Sequence, residues 1–327
     1  MLSDILDGKC FKLVCGAGNE DAGEVEKLAA LYAHAGCRFF DLSARKEIIA
    51  AAKRGLEYAG INDAYLCVSV GIKGDPHVNK ACIDYEKCVG CGKCDEICPQ
   101  GAIKYHKVKK FRCIGCGKCA KVCSKGAISY ITESRELDEI LPPLIDEDID
   151  CIELHAMGGD DVDVLKKWNY IAENFDGMLS LCTARGQLSD EAMLNRIKLL
   201  IKDRKPYTTI IQADGFPMSG SKDDYKTTLQ AAATAEIIQN ENLPVFVMLS
   251  GGTNSKTAEL AQLCGIKYHG IAVGTFARKI VKKYIDREDF LTNSYVFNEA
   301  LRVAEKLVNS VKIDYNKNRT SDSLLFQ

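Results

Sequence analysis

CVGCGKCDEICPQGAIKY (residues 88–105) and CIGCGKCAKVCSKGAISY (residues 113–130) are two copies of one motif, 25 residues apart. Each copy has the form C-x2-C-x2-C-x3-C, which is the spacing of bacterial ferredoxins. In that spacing three close thiolates hold three corners of one 4Fe-4S cube, and the fourth cysteine ligates the other cube. The repeat therefore predicts a ferredoxin-like module with two 4Fe-4S clusters.

Because the fourth cysteine of each motif ligates the other cube, the eight cysteines divide into two crosswise ligand sets. We predict one cluster held by Cys88, Cys91, Cys94 and Cys123, and a second held by Cys113, Cys116, Cys119 and Cys98. A structural zinc fold is the alternative. Zinc sites usually separate two C-x2-C pairs by a long gap, whereas here the fourth cysteine follows at once, so iron–sulfur clusters are favoured.

Length and composition set the outer limits of the fold. The chain has 327 residues, of which 46% are apolar, and 43 basic residues nearly balance 45 acidic ones. This balance indicates neither a nucleic-acid nor a membrane partner. The start, MLSDILDGKC, has no apolar export segment, and no run approaches 18 apolar residues. We expect a cytoplasmic protein, where thiols stay reduced and most of the other eight cysteines pack as small apolar residues.

Short apolar runs alternate with amphipathic helices along the chain, which indicates a parallel sheet covered by helices. Eight such units, without a dinucleotide fingerprint after the first strand, favour a (β/α)8 barrel over an open doubly wound sheet. The predicted strands are 11–17, 37–43, 64–71, 151–156, 178–184, 208–215, 244–250 and 270–276. We expect a helix from Ser134 to Leu141 that Pro142 and Pro143 end, and a last helix over Val296–Val311.

The cysteine repeat interrupts this alternation directly after the third strand. The sequence therefore divides into residues 1–71 as the first part of the barrel and 72–130 as the ferredoxin-like insert. Residues 131–312 complete the barrel and its last helix, and 313–327 form a polar tail. Loops that follow strands lie at the carboxyl-terminal face of a barrel, so we expect the clusters beside its mouth.

Two glycine-containing loops late in the chain point to a phosphate-bearing ligand in that mouth. The loop after the seventh strand contains Gly251, Gly252 and Thr253, and the eighth strand runs into Gly274 and Thr275. Loops at these two places form the phosphate site of many barrels, and flavin mononucleotide (FMN) enzymes use this arrangement. The glycines could equally serve the turns alone. Further polar candidates at strand ends are Asp41, Ser69, Glu153, His155, Gln212 and Asp214.

The insert is basic: eleven lysines and Arg112 outnumber five acidic residues, which gives residues 72–130 a formal charge of +7. The charge of two clusters, about −2 each, would offset part of this excess. Lys107, Lys109, Lys110 and Arg112 read either as a solvated hairpin or as a docking surface for an acidic electron carrier. A donor or acceptor protein or a small electron carrier is therefore the expected partner.

Several phrases resemble the light-dependent period family of cyanobacteria, iron–sulfur proteins implicated in relaying cellular redox state to the circadian clock. They are the segment 11–44, the paired cluster motifs, QADGFPMSG at 212–220, LSGGTN at 249–254 and IAVGTFAR at 271–278. The resemblance implies that Cys88 to Cys123 form a redox-sensing or electron-transferring element with a regulatory protein partner. It implies no catalytic residue.

Two hypotheses follow. In the first, a two-cluster iron–sulfur protein exchanges single electrons and reports or relays redox state. In the second, the chain is an oxidoreductase whose clusters feed electrons to FMN in the barrel mouth, where the flavin converts one-electron to two-electron steps. A scaffold whose clusters only stabilise the insert is a third possibility.

Overall fold

Eight parallel strands close into a barrel in the computed structural model of this protein. The structure describes residues 2–16, 18–71, 79–132, 136–156, 160–185, 188–215 and 222–314. In these residues the elements run α1 Leu2–Leu6, β1 Cys10–Val14, α2 Ala22–His34, β2 Phe39–Ser43, α3 Lys46–Tyr58, β3 Tyr65–Gly71, β4 Asn79–Ile83, α4 Lys93–Ile97, β5 Ile103–Lys104, β6 Lys107–Val108, a 3-10 turn Lys110–Arg112, α5 Lys118–Val122, β7 Ile128–Thr132, α6 Leu137–Ile145, β8 Cys151–His155, α7 Asp161–Asn174, β9 Met178–Ala184, α8 Asp190–Ile201, β10 Thr209–Asp214, α9 Tyr225–Asn240, β11 Phe246–Ser250, α10 Thr257–Leu263, β12 Gly270–Val273, α11 Thr275–Ile285 and α12 Ser294–Ser310.

The barrel strands follow one another around the ring in chain order, with the insert between β3 and β8. β1 pairs with β2 on one side and with β12 on the other, which closes the sheet. β3 pairs directly with β8, so the insert leaves the barrel hydrogen bonding unbroken. The predicted (β/α)8 barrel with an insertion after the third strand is therefore confirmed.

The helices cover the barrel by burying one apolar face each. On α3 this face consists of Ile48, Ile49, Ala52 and Leu56, which join the large outer core. Gly55 lies where α3 meets α2, and a Cβ atom there would lie 2.3 Å from the carbonyl oxygen of Glu26. Only glycine permits this close approach of the two helices. α12 packs outside the barrel against α2 and α11.

The predicted end of the helix before β8 is wrong. α6 runs to Ile145 and contains both Pro142 and Pro143. Each proline removes one N–H donor and so leaves the carbonyl of Asp138 or Glu139 without its intrahelical bond, while Leu141 and Leu144 on the buried face stabilise the helix. Ser134, the predicted start, lies outside the described residues, as do residues 72–78 at the start of the predicted insert and the predicted tail beyond residue 314.

The amino-terminal end of the barrel is filled with apolar side chains. Ile5 of α1 packs there against residues in the first three positions of the barrel strands, namely Cys10, Phe39, Cys67, Cys151, Ile210, Phe246 and Met248. All of these are buried. The barrel interior is therefore sealed at this end, and its polar residues lie toward the carboxyl ends of the strands.

The insert repeats one local fold twice. β4 pairs with β7 in an antiparallel ladder, and β5 pairs with β6 in a short hairpin. α4 begins directly after Gly92 and α5 directly after Gly117, with φ angles of 75° and 78°. Glycine suits both places because this left-handed backbone region is costly for other residues. The repeated sequence thus gives a repeated backbone.

Candidate metal centre and barrel interior

Two cavities in the insert are walled by cysteines. The first, of about 340 Å³, is lined by Cys98, Cys113, Cys116 and Cys119, together with apolar residues such as Ala81 and Ile103. The second, of about 400 Å³, is lined by Cys88, Cys91, Cys94 and Cys123. Each cavity thus combines three cysteines of one motif with the last cysteine of the other, which is the grouping that the spacing predicts.

Backbone N–H groups point at the sulfur atoms in equivalent places of the two repeats. The N–H of Ala102 donates to Sγ of Cys98, and that of Ala127 donates to Sγ of Cys123, both at 3.3 Å. The N–H of Ala81 donates to Sγ of Cys113 at the same distance. The bond from Ala127 lowers the pKa of the Cys123 thiol. Such donors stabilise thiolates, so the residues present fit iron–sulfur clusters.

The spacing of the sulfur atoms disfavours a zinc tetrathiolate. Four sulfurs around one zinc ion would lie about 3.8 Å apart, because each Zn–S bond is about 2.3 Å long. In the described residues, no group formed by these cysteines alone brings three ligand atoms within 4.8 Å of one another. Sulfurs that lie farther apart fit a larger inorganic core better than a single zinc ion.

A buried lysine contributes to the docking of the insert on the rim of the barrel mouth. Nζ of Lys80 donates to the carbonyl oxygen of Gly18, in the loop after β1, at 2.9 Å and to that of Cys113 at 3.0 Å. The N–H of Glu20 donates to the carbonyl oxygen of Phe111 at 2.6 Å. The cavity that contains Cys113 is therefore the one beside the barrel.

Arg112 faces the barrel rather than solvent or a partner protein. Its guanidinium is bonded to Asp21 at 2.5 Å and lies 3.8 Å from Glu24, both on the barrel. It therefore anchors the insert, and its charge is engaged within the chain.

A buried lysine and glutamate face each other inside the barrel. Nζ of Lys12 on β1 lies 2.5 Å from Oε2 of Glu153 on β8 and 3.5 Å from Oδ2 of Asp41 on β2. β1 and β8 are separated by two strands in the sheet, so the pair meets across the interior. Burial alone lowers the pKa of Lys12, but Asp41 and Glu153 together raise it well above its usual value. The amine is therefore protonated.

Glu153 is surrounded by five polar side chains. Its Oε2 accepts hydrogen bonds from Lys12, from Ser180 at 2.8 Å and from Gln212. Its Oε1 accepts from the thiol of Cys182 at 3.0 Å and lies 3.3 Å from Nε2 of His155. Burial acts to raise the pKa of Glu153, but Lys12 and His155 outweigh it and hold this pKa well below its usual value. Glu153 is therefore an ionised carboxylate.

Two further carboxyl groups lie in the same interior. Asp41 accepts a hydrogen bond from Ser69 at 2.6 Å, and burial raises its pKa. Asp214, at the carboxyl end of β10, has its pKa raised to about 7 by burial and by the charge of Glu153. A group with this pKa can exchange a proton near neutral pH.

The polar strand-end candidates from the sequence thus share one buried region: Asp41, Ser69, Glu153, His155, Gln212 and Asp214 are all buried. Sequence reasoning did not place Lys12, Ser180 or Cys182 among these candidates. A signal for Lys12 was present, because a lysine inside the apolar strand FKLVC is out of pattern. An interior of charged and polar side chains is typical of a binding or catalytic site.

The predicted phosphate loops lie on neighbouring strands at the carboxyl end. Gly251 and Gly252 have φ angles of 61° and 77°, and Oγ1 of Thr253 donates to the carbonyl oxygen of Ala272 at 2.5 Å. Gly251 also has a packing role, because a Cβ atom there would lie 2.8 Å from the amide nitrogen of Gly215.

An anion could be held where β12 ends. Gly274 directly precedes α11, which begins at Thr275, and the first N–H groups of a helix lack partners within it. Arg278, in the next turn, is buried and donates to the carbonyl oxygen of Val14 at 2.6 Å. Its Nε atom has no hydrogen-bond partner in the described residues. These features fit a phosphate group.

Models of known protein families match the insert and the second part of the barrel. Residues 144–312 match the light dependent period A C-terminal domain, residues 94–134 the LdpA Fe-S cluster-binding domain, and residues 81–104 a 4Fe-4S binding domain. Over 266 residues the chain is 31% identical to Light dependent period A of Synechococcus elongatus. This alignment covers 78% of this chain and 74% of that protein.

Solved barrel structures resemble the chain more distantly. Dihydrodipicolinate synthase from Oceanobacillus iheyensis aligns with a TM-score of 0.42 at 11% identity, over 95% of this chain and 79% of that one. A truncated 3-deoxy-D-arabino-heptulosonate 7-phosphate synthase from Thermotoga maritima aligns with a TM-score of 0.45 at 12% identity, over 97% and 88%. No helix in the described part of the chain combines the length and hydropathy needed to cross a bilayer.

Proposed function

Because the chain belongs to the light dependent period A family and carries its Fe-S cluster-binding domain, we propose that it relays single electrons through two 4Fe-4S clusters. The observation that carries this proposal is the pair of cavities, each lined by four cysteines drawn from both motifs. When bound, such clusters supply one-electron transfer at potentials set by their surroundings.

The ligand sets proposed here are those predicted from the spacing. Cys88, Cys91, Cys94 and Cys123 would hold the cluster farther from the barrel, and Cys98, Cys113, Cys116 and Cys119 the cluster beside it. The N–H donors to Cys98 and Cys123 would stabilise the thiolates in both sets. Lys80 supports the order of the two sites, because it joins the backbone at Cys113 to the rim of the barrel.

The outer cavity is the side that a redox partner would approach. Each cavity has one exposed cysteine, Cys91 or Cys116, but Cys113 and Cys119 of the inner set are buried, whereas none of the four outer cysteines is. Most lysines of the insert remain outside the anchor formed by Lys80 and Arg112, which supports a donor or acceptor protein with an acidic surface, or a small anionic electron carrier. A regulatory protein partner is the further proposal that the family suggests.

Anaerobic purification followed by iron, sulfide and spectroscopic analysis tests this function. We expect about eight irons and eight sulfides per chain and two reducible 4Fe-4S signals, because each site takes one cube. Zinc in place of iron would overturn the proposal. Clusters that no physiological reductant can reduce would leave only the scaffold role.

A second candidate function is an FMN-dependent oxidoreductase in which the clusters feed electrons to a flavin in the barrel mouth. It is favoured by a specific observation, the buried guanidinium of Arg278 beside the first turn of α11, close to Gly274 at the end of β12; the neighbouring strand β11 leads into the glycine loop at Gly251 and Gly252. These residues would hold the flavin phosphate, and the polar interior around Glu153 would face the reacting end of a bound ligand. Flavin absorption bands in the anaerobically purified protein would support this candidate, and their absence after incubation with FMN would exclude it.

A further inference from the structure

Three potential metal ligands converge at one point of the barrel interior. Oε1 of Glu153 lies 3.0 Å from Sγ of Cys182 and 3.3 Å from Nε2 of His155, and all three ligand atoms lie within 4.8 Å of one another. Glu153 and His155 are two residues apart on β8, so both side chains point to the same face. Cys182 on β9 pairs directly with His155. Two neighbouring strands thus bring the three together.

The chemistry of this set matches zinc. A carboxylate oxygen, an imidazole nitrogen and a thiolate are the three ligand types that Zn²⁺ takes in proteins. Around a tetrahedral zinc ion, ligand atoms lie about 3.3 to 3.7 Å apart. The Oε1–Nε2 distance of 3.3 Å falls in this range, and the Oε1–Sγ distance of 3.0 Å is slightly shorter. Three protein ligands with a free fourth position are typical of catalytic rather than structural zinc.

Oε2 of Glu153, on the side away from the proposed metal, accepts three hydrogen bonds. Lys12, Ser180 and Gln212 all donate to Oε2, so the carboxylate is fixed with Oε1 toward His155 and Cys182. Outer-shell donors of this kind orient the ligands of metal sites and adjust their affinity. Lys12 also compensates part of the buried negative charge without lying on the ligand side of the carboxylate.

A buried carboxylate oxygen on the neighbouring strand lacks a partner. Oδ2 of Asp214 has no hydrogen-bond partner in the described residues, and Asp214 lies on β10 two residues beyond Gln212, which pairs with Cys182. Burying such an oxygen unpaired is costly. A cation next to Cys182 would remove that cost.

We propose that the barrel interior binds one Zn²⁺ ion through Oε1 of Glu153, Nε2 of His155 and Sγ of Cys182. This site is separate from the eight cysteines of the insert, and it does not depend on the proposed electron relay. The fourth position would admit water or an oxygen atom of a small ligand that enters through the mouth.

X-ray absorption at the zinc edge tests the site on the full-length protein. The chain is purified anaerobically, given one equivalent of Zn²⁺ and desalted, and its iron content is measured on the same sample. We expect one zinc per chain with one sulfur neighbour at about 2.3 Å and nitrogen or oxygen neighbours at about 2.0 to 2.2 Å. Zinc surrounded by four sulfurs would place it in a damaged cluster site and overturn the proposal. Retention of less than a tenth of an equivalent would overturn it too.

Variants locate the ion. Cys182→Ser and His155→Gln should each weaken zinc binding at least tenfold in competition with a chromophoric chelator, while iron content stays unchanged. Cys37→Ser is the matched control, because Cys37 is a buried thiol that donates to the backbone carbonyl oxygens of Phe11 and Phe39, away from the ligand set, and it should bind zinc within twofold of the wild type. Wild-type affinity in Cys182→Ser would refute the site. The sulfur count of the wild-type zinc spectrum decides the matter if a variant does not fold.

Discussion

The amine of Lys12 and the carboxylate of Glu153 meet across the barrel at 2.5 Å, and both side chains are fully shielded from water. Charges so deeply buried are stable only as a pair, because each alone would lose its hydration without compensation. The contact therefore links the stability of the barrel to the arrangement of its polar interior.

Replacing Lys12 with Met should destabilise the fold by about 3 to 5 kcal/mol, since Glu153 would remain buried without the lysine cation that balances its charge. Denaturant unfolding under anaerobic conditions measures the change. The double variant Lys12→Met/Glu153→Gln should recover part of the loss. Lys9→Met is the control, because its ion pair with Asp7 is exposed and such pairs contribute less than about 1 kcal/mol. Equal stability of Lys12→Met and Lys9→Met would contradict the prediction.

The crosswise ligand sets predict which cluster each last cysteine serves. Cys123→Ser should disturb the cluster held by Cys88, Cys91 and Cys94, whereas Cys98→Ser should disturb the one beside the barrel. In each case iron should fall from about eight toward four per chain, and electron paramagnetic resonance of the reduced protein should lose one of two signals. Cys82→Ser, in the same insert but in neither set, should keep both. Loss of the same signal in both variants would show that the assignment is wrong.

Lys80→Met should loosen the insert from the barrel. The change leaves the carbonyl oxygens of Gly18 and Cys113 without this buried donor, which costs about 1 to 3 kcal/mol per unpaired group. Hydrogen exchange of residues 79–83 and 111–114 should accelerate in the variant. Lys87→Met serves as control, because that lysine pairs with Asp84 at an exposed position. Unchanged protection in Lys80→Met would mean that other contacts hold the insert.

Asp214 predicts a pH dependence of stability in chelator-treated protein. Its pKa rises from an ordinary value of 3.8 to about 7 on folding, so the folded state binds an extra proton between these values. Stability should therefore fall as pH rises from 4 to 7 and level off above, by at most about 4 kcal/mol. Asp214→Asn should remove this part of the slope, as measured by denaturant unfolding across the pH range. A slope identical to that of the wild type would exclude the assignment.

The phosphate loop can be tested with two matched glycines. Gly252→Asp should lower FMN retention at least tenfold if the flavin candidate is correct, because a carboxylate would repel the phosphate. Gly265→Asp introduces the same side chain at a similar φ angle, 70° against 77°, in open space away from the mouth. It should retain FMN. Equal retention by the two variants would separate the glycines from any phosphate site.

Periodicity and spacing predict the fold well here because both signals are local. The barrel follows from eight alternating apolar runs, and the grouping of cysteines around two cavities follows from repeated three-residue steps in Cys88–Cys98 and Cys113–Cys123. The helix end at Leu141 was mispredicted, because the buried face of α6 outweighs the two prolines. Local propensity cannot express such tertiary stabilisation.

The barrel interior was only half visible in the sequence. Strand-end positions identified Glu153 and His155, because parallel strands present their carboxyl ends at one face. Lys12 lies in the middle of β1, and its role depends on a strand 141 residues away, so no local pattern connects it with Glu153. The alternation of inward side chains gives that pairing only once the ring has closed.

Ile5 and the apolar residues near the amino-terminal ends of the strands close the barrel at that end. In the described residues, solvent, protons and small molecules can therefore reach the interior only from the carboxyl ends of the strands. The ferredoxin-like insert is docked on the rim of that opening. Because the insert contacts the barrel rim at Gly18, a substitution there should alter both access to the interior and the position of the insert.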